Sequence, residues 1–289
     1  MKISIDPDSG FCFGVNHAIR VAETTLGSGS ELYSLGEIVH NRVQVEMLEQ
    51  QGLKVVSYAD LTAMKGEKVL IRAHGEPPET FAIAEKAGVH LIDATCPIVT
   101  KLQDRVQKAY KEGKLHGNQI VIYGKPEHAE LIGLAGNTEY QAIIISSESD
   151  LEKIDFNKPV TLFSQTTMDG EKYEQIASSI SSRMRALNNE AFIFNKSVCR
   201  QVSGRAPKLR KFALEHEVIL FVAGKNSANG AYLYQVCKAV NPRSYFLSSI
   251  DEIQNEWFNW FNMVGITGAT STPGWLLTQV AEHIRELIS

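Results

Sequence analysis

Short apolar runs that end abruptly in polar tips alternate along this chain with segments whose apolar residues recur at helical spacing. The stretches VLIRAH, VHLID, QIVIYG, YQAIIIS, VTLFSQ, EVILFVAG and MVGITG are rich in branched side chains and bounded by Gly, Pro or polar residues, which predicts buried strands. Strands alternating with helices predict an α/β fold with mostly parallel sheets. No low-complexity segment or long polar linker interrupts the alternation.

A cycle is visible when the chain is read from its cysteines. Cys12 precedes Val15, Ala18, Ile19, Ala22 and Leu26; Cys96 precedes Ile98, Val99, Leu102, Val106 and Ala109; Cys199 precedes Ala206, Leu209, Phe212 and Ala213. Each of the three therefore opens a helix. A strand then ends in a polar tip roughly 30 residues after the cysteine (His40, His128, Asn229), and a later strand ends in a second tip roughly 60 to 70 residues after it (His74, Thr166, Ser271). Side-chain identity changes between the thirds, so architecture is repeated rather than sequence. The cycle predicts three small α/β domains, residues 1–95, 96–197 and 198–289. Ligands of open parallel sheets bind beyond the carboxyl ends of the strands. Three such units around a common axis would aim tips and cysteines at one central space.

Composition narrows the chemistry. With 289 residues, 44% hydrophobic and 21% charged, the chain is ordinary for a globular protein. A net charge of -4 argues against a nucleic-acid partner, and the basic run RAPKLRK reads as a solvated helix face. No apolar run approaches the roughly 18 residues of a membrane span, and the N-terminus lacks the apolar core of a signal peptide. We expect a cytoplasmic protein without a membrane partner. Disulfides are rare in that compartment, so the four cysteines are core residues, ligands or nucleophiles. Cys237, inside AYLYQVCKAV, fits a helix core. A thiol at a helix N-terminus feels the positive end of the dipole, which favours thiolate. Pro97 after Cys96 suits the first helical position. Three thiolates suit zinc with an open position or an iron-sulfur cluster with one iron unligated by protein, inert thiols being the alternative. Thr166, Thr167, Ser227 and Ser271 also fit as helix caps.

The motifs GFCFGV, IVHN, AHG, DATCP, the His-x-Glu pair at 128 and 130, QTT at 165–167, KNSAN at 225–229 and GATSTP occur in this order from residue 10 to about residue 275. Together they resemble the 4-hydroxy-3-methylbut-2-enyl diphosphate reductase family. The resemblance implies a trefoil of three α/β domains in pseudo-threefold arrangement around a central [4Fe-4S] cluster held by Cys12, Cys96 and Cys199. It implies reductive removal of the substrate's allylic hydroxyl at the open iron, giving isopentenyl and dimethylallyl diphosphate. Glu130 would supply the proton through Thr166, with His128 beside them. His40, His74, His128, Thr166, Ser227, Ala228, Asn229 and Ser271 would contact substrate. A reduced ferredoxin or flavodoxin would donate electrons. This chain departs from the family pattern at His128-Ala129-Glu130, where the family usually has His-Pro-Glu, and in the residues after Cys199. The readings competing with the reductase are a non-catalytic iron-sulfur protein for electron transfer or redox sensing, and a three-cysteine zinc hydrolase with Glu130 as general base.

Overall fold

The computed structural model describes residues 1–258 and 262–287. The chain begins with β1 (Lys2–Ile5), α1 (Phe13–Gly27), β2 (Leu32–Leu35), α2 (Arg42–Gln50), β3 (Leu53–Val56), β4 (Lys68–Ile71), α3 (Pro78–Ala87) and β5 (His90–Asp93). It continues through α4 (Pro97–Gly113), β6 (Gln119–Tyr123), α5 (Ala129–Gly136), β7 (Ile143–Ile145), β8 (Val160–Ser164), α6 (Gly170–Ala186) and β9 (Phe192–Phe194). It closes with α7 (Arg200–Ser203), α8 (Arg205–Leu214), β10 (Val218–Val222), α9 (Ala228–Val240), β11 (Ser244–Leu247), β12 (Met263–Gly268) and α10 (Gly274–Leu287).

Among the described residues these strands form three four-stranded sheets, ordered β3-β2-β4-β5, β7-β6-β8-β9 and β11-β10-β12-β1. Within each cycle the order is the same: second, first, third, fourth. In the last sheet the fourth place is taken by β1, which pairs in parallel with β12 from Lys2 opposite Met263 to Ile5 opposite Ile266. Residues 2–5 therefore belong to the sheet of the last third, not to the first as the boundary 1–95 expects. A parallel partner needs no tight turn, so the N-terminal strand reaches that edge as well as a strand further down the chain would. One regularity follows that the sequence cycle did not contain. The fourth strand of every sheet (β1, β5, β9) leads into a cysteine.

The chain divides into two compact units, one of Met1–Ser28, Glu37–Leu53 and Arg200–Ser289, the other of Gly29–Gly36 and Lys54–Cys199. In the first, β10 is buried throughout because helices cover both faces of its sheet. Leu276, Val280 and Ile284 of α10 pack on one side, and Leu209 of α8 with Leu233 and Cys237 of α9 on the other. Cys237 is thus the core residue expected. Of the aromatic segment 256–261, Trp257 stacks on Tyr245 with centroids 4.3 Å apart and Phe258 is buried, as a core reading requires; residues 259–261 lie outside the described residues. In the second unit, β6 and β8 are sandwiched between Leu102, Val106 and Leu131 on one face and Tyr173, Ile176 and Ile180 on the other.

A buried charge pair anchors the end of β1. Arg205, the first residue of α8, donates through Nη2 to Asp6 Oδ2 at 2.7 Å and to Thr267 Oγ1 at 2.8 Å, and Thr267 donates to the same Asp6 oxygen at 2.7 Å. Removing one member of such a pair leaves the other charge buried and uncompensated. We expect Arg205→Ala to lower unfolding free energy by about 3 to 5 kcal/mol in urea denaturation, and a loss below about 1 kcal/mol would show the pair to be dispensable.

Candidate active site

The first and third strands of each cycle are the two central neighbours of its sheet, where the chain winds off in opposite directions. Such a switch point is where open α/β sheets bind ligands. The polar tips fall there: His40 after β2 and His74 after β4, His128 after β6 and Thr166 after β8, Ser227 after β10 and Ser271 after β12.

In the unit containing β10, the tips of the two central strands meet. Ser227 caps α9, its oxygen accepting from Gly230 N at 3.0 Å, and its hydroxyl lies 3.0 Å from that of Ser271. Asn229 Oδ1 accepts from Thr270 N at 3.1 Å and from Thr270 Oγ1 at 2.8 Å. Thr272 is used structurally, donating to Val222 O at 2.6 Å and accepting from Ala269 N at 3.1 Å. Ala228 begins α9; its side chain lies outside the described residues. Cys12, half-buried, stands at the N-cap of α1 and donates its backbone N–H to Thr270 O at 3.0 Å. The loop that delivers it turns at Gly10, whose φ of 116° suits glycine.

His40 is placed by close backbone packing. A Cβ on Gly224, just past β10, would fall 2.2 Å from His40 O and 3.2 Å from Asn41 Cα. We expect Gly224→Ala to push this segment away, costing about 1 to 3 kcal/mol in stability by thermal or urea melts; a wild-type melt would mean that the segment yields freely.

In the other unit, His128 is the N-cap of α5, and its Nδ1 accepts from Glu130 N at 3.2 Å. That role leaves Nδ1 unprotonated, so the neutral ring carries its proton on Nε2. Ala129 takes the first helical position, where proline is tolerated, so the change from the family's His-Pro-Glu leaves the entry into the helix intact. Glu130 is 1% exposed. Its Oε1 accepts from Thr166 N at 2.6 Å and its Oε2 from Thr166 Oγ1 at 2.8 Å. Burial pushes this carboxyl up to about 7, the two Thr166 contacts opposing the rise. Thr166 is not a cap, because Asp169 caps α6 by accepting from Glu171 N and Lys172 N. Thr166 O also accepts from Cys199 N at 2.8 Å, tying the third cysteine to the acid's hydroxyl partner. The His74 ring meets the His128 ring edge to face, centroids 5.2 Å apart.

Cys96 is the N-cap of α4, followed by Pro97 at the first helical position as expected. Its thiol is nevertheless pushed up: burial outweighs the N–H groups of Ile98 and Val99 that favour the thiolate, and Cys199 and Glu130 add to the rise. The helix start does favour the thiolate, as expected, but desolvation is the larger effect. Cys199 precedes α7, which ends at Ser203; Gly204 separates it from α8. The helix expected after Cys199 is therefore two pieces. Cys12, Cys96 and Cys199 are each half-buried at the start of a helix, and a thiol is a soft donor of the kind that iron and zinc accept.

One residue named in a motif without a role, and one not named at all, gain roles in the fold. Gln165, fully buried, fixes the β8 tip by accepting from Lys125 N at 3.2 Å and donating to Thr167 Oγ1 at 2.8 Å. Glu76, two residues after His74, is buried with its carboxyl pushed up by desolvation and opposed by Tyr58 and Arg72; the Tyr58 hydroxyl donates to it. AHGEPP shows an acid beside a histidine, but nothing local says that it is buried.

A parallel α/β enzyme, with an acid–hydroxyl couple and hydroxyl tips at the switch points of its sheets, is the class that this fold and site define. Its particular relatives are found by comparison. The LytB protein family model matches residues 3–285. A 4-hydroxy-3-methylbut-2-enyl diphosphate reductase of Porphyromonas gingivalis is 48% identical over 290 residues, covering 100% of both chains, and one of Parabacteroides distasonis is 44% identical over 287 residues, covering 99% of this chain and 98% of its own. The solved structure of an (E)-4-hydroxy-3-methyl-but-2-enyl diphosphate reductase, described as the terminal enzyme of the non-mevalonate pathway, superimposes with a TM-score of 0.74 at 32% identity, covering 99% of this chain and 100% of its own. A Plasmodium falciparum reductase structure shares the fold, with a TM-score of 0.85 over 97% of this chain and 86% of its own. The chain belongs to the LytB family.

Proposed function

We propose that this chain reduces 4-hydroxy-3-methylbut-2-enyl diphosphate to isopentenyl and dimethylallyl diphosphate, with Cys12, Cys96 and Cys199 as the ligands of a [4Fe-4S] cluster. When bound, such a cluster supplies electrons and one Lewis-acidic iron for the allylic oxygen. The reaction breaks the allylic C–O bond, consumes two electrons and two protons, and releases water. The observation that carries the reading is the buried Glu130–Thr166 couple, in a full-length relative of enzymes named as reductases of this substrate.

Glu130 holds its proton below about pH 7, in the range that suits a general acid near neutrality. Once protonated, its hydroxyl reverses the bond to Thr166 Oγ1, which then turns its own proton outward to substrate, while Thr166 N stays on Oε1. His128, whose Nδ1 accepts from Glu130 N, offers Nε2 as a further donor to substrate. His40, His74, Ser227, Asn229 and Ser271 supply neutral or cationic donors to the diphosphate, and the start of α9 at Ala228 adds backbone N–H groups. A reduced ferredoxin or flavodoxin delivers the electrons in a cytoplasmic setting. Among the described residues no helix is long and apolar enough to cross a membrane. The electron-carrier and zinc-hydrolase readings are not favoured by relatives that are all named as reductases.

Anaerobic purification followed by iron, acid-labile sulfide and zinc assays, then turnover of the allylic diphosphate with a reduced one-electron donor, tests the proposal. Colourless protein with stoichiometric zinc would overturn it.

A further inference from the structure

Three carboxamides in the unit made of Met1–Ser28, Glu37–Leu53 and Arg200–Ser289 share one division of labour. The oxygen of Asn229 is taken by Thr270; that of Asn41 caps α2, accepting from Gln44 N at 3.2 Å; that of Gln44 accepts from Trp275 Nε1 at 3.0 Å. In each the nitrogen is buried and has no hydrogen-bond partner among the described residues. The orientations are fixed by chemistry: a backbone or indole N–H must meet oxygen, so exchanging O and N would set donor against donor. Leaving an NH2 group buried and unpaired is costly, and native structures rarely do so without a reason.

Asn41 is singled out by its place. It directly follows His40, is 2% exposed, and caps a nine-residue helix whose dipole favours an anion at this end. Its Cα lies against Gly224, and the Gly224 carbonyl accepts from Ser227 N at 3.0 Å. Asn41 thus stands by the same strand end that carries the Ser227–Ser271 pair. Asn229, part of that strand-end cluster, repeats the pattern with its oxygen held by protein and its nitrogen left over. Gln44 lies inside the first turn, held by Trp275, rather than at the cap.

We propose that the Asn41 carboxamide nitrogen is a further donor to the substrate's diphosphate, its oxygen holding the helix in place for that purpose. The proposal rests on the diphosphate reading given under Proposed function. It makes one side chain serve two ends, and the two can be separated: serine and aspartate both keep a capping oxygen and both remove the carboxamide nitrogen.

The test titrates inorganic diphosphate into anaerobically purified wild type, Asn41→Ser and Asn41→Asp. Melting curves of each, and KM and kcat with the allylic diphosphate, accompany the titrations. Wild type is expected to bind. Asn41→Ser should bind about tenfold more weakly. Asn41→Asp, which sets a carboxylate where the donor was, should lose about 100-fold or more. KM should rise in parallel with kcat nearly kept, and Asn41→Ser should melt as wild type does. Wild-type affinity in Asn41→Ser would overturn the proposal, and that variant decides the matter by itself if a buried aspartate prevents folding. Wild type that neither binds diphosphate nor turns over the allylic substrate would instead overturn the diphosphate reading on which the proposal stands.

Discussion

Glu130→Gln should abolish most turnover, by about two to four orders of magnitude, while iron content and fold stay as they are. The amide is nearly isosteric with the acid, and its oxygen can keep the Thr166 N–H bond now made at 2.6 Å. Its NH2 can donate to Thr166 Oγ1, which turns its own hydrogen elsewhere. What is lost is the transferable proton. Because the acid's pKa is about 7, the wild-type rate should fall as pH rises past 7, and that limb should vanish from the variant's residual rate. Stability moves with the same proton. The folded state keeps it up to about 7, whereas an unfolded glutamate loses it near 4.5. The contribution of Glu130 to stability is therefore fully present below 4.5 and is lost as pH rises through that window, by about 3 kcal/mol in all. Urea titrations at pH 4.5 and 8 should show wild type losing more stability over this range than the glutamine variant, by about that amount. Full activity in the variant would remove Glu130 as proton donor.

The cysteines should divide sharply. Cys199→Ser is expected to lose iron on purification, and Cys96→Ser likewise, whereas Cys237→Ser keeps the full complement. Serine offers a hydroxyl that stays protonated near neutral pH, where a metal needs an anionic sulfur. Cys237 lies in the core between α9 and β10, its thiol pushed up to about 11 by burial, and takes no part. The Cys96 thiol is also pushed up by its surroundings, so binding of a cation must expel its proton. Loading of the apoprotein should therefore improve as pH rises and release acid as it proceeds. Iron and sulfide assays on the purified variants decide the question. Stoichiometric iron in Cys199→Ser would strike it from the ligand set.

Much of this was legible in one chain. The branched runs VTLFS and VILFV are β8 and β10, buried throughout, because a strand covered on both faces must be apolar at every position. The tips after them were legible too, since polar residues directly after such runs have to leave the sheet. The place of β1 was not: KISI is a short strand that carries no record of its partner, and β12 lies at the other end of the chain. The helix after Cys199 read as continuous because the apolar spacing of Ala206, Leu209 and Ala213 belongs wholly to α8. The Cys96 thiol was read from the dipole alone, and its desolvation became visible only once the fold enclosed it. Asn41 is a recognisable cap letter, but the fate of its nitrogen depends on what packs over it.

The place of β1 also sets an order of assembly. The two sheets made of β2 to β9 draw only on residues 32 to 194, and can close while the rest of the chain is still being made. The remaining sheet needs contacts between the first strand and the last, the kind of long-range closure that slows folding far more than it weakens the product. The backbone of Cys12, held by Thr270, is consequently fixed only after β12 exists. A polypeptide cut short of Met263 would contain every strand of the β2–β5 and β6–β9 sheets together with Cys96 and Cys199, yet lack the Thr270 carbonyl that the Cys12 backbone N–H meets.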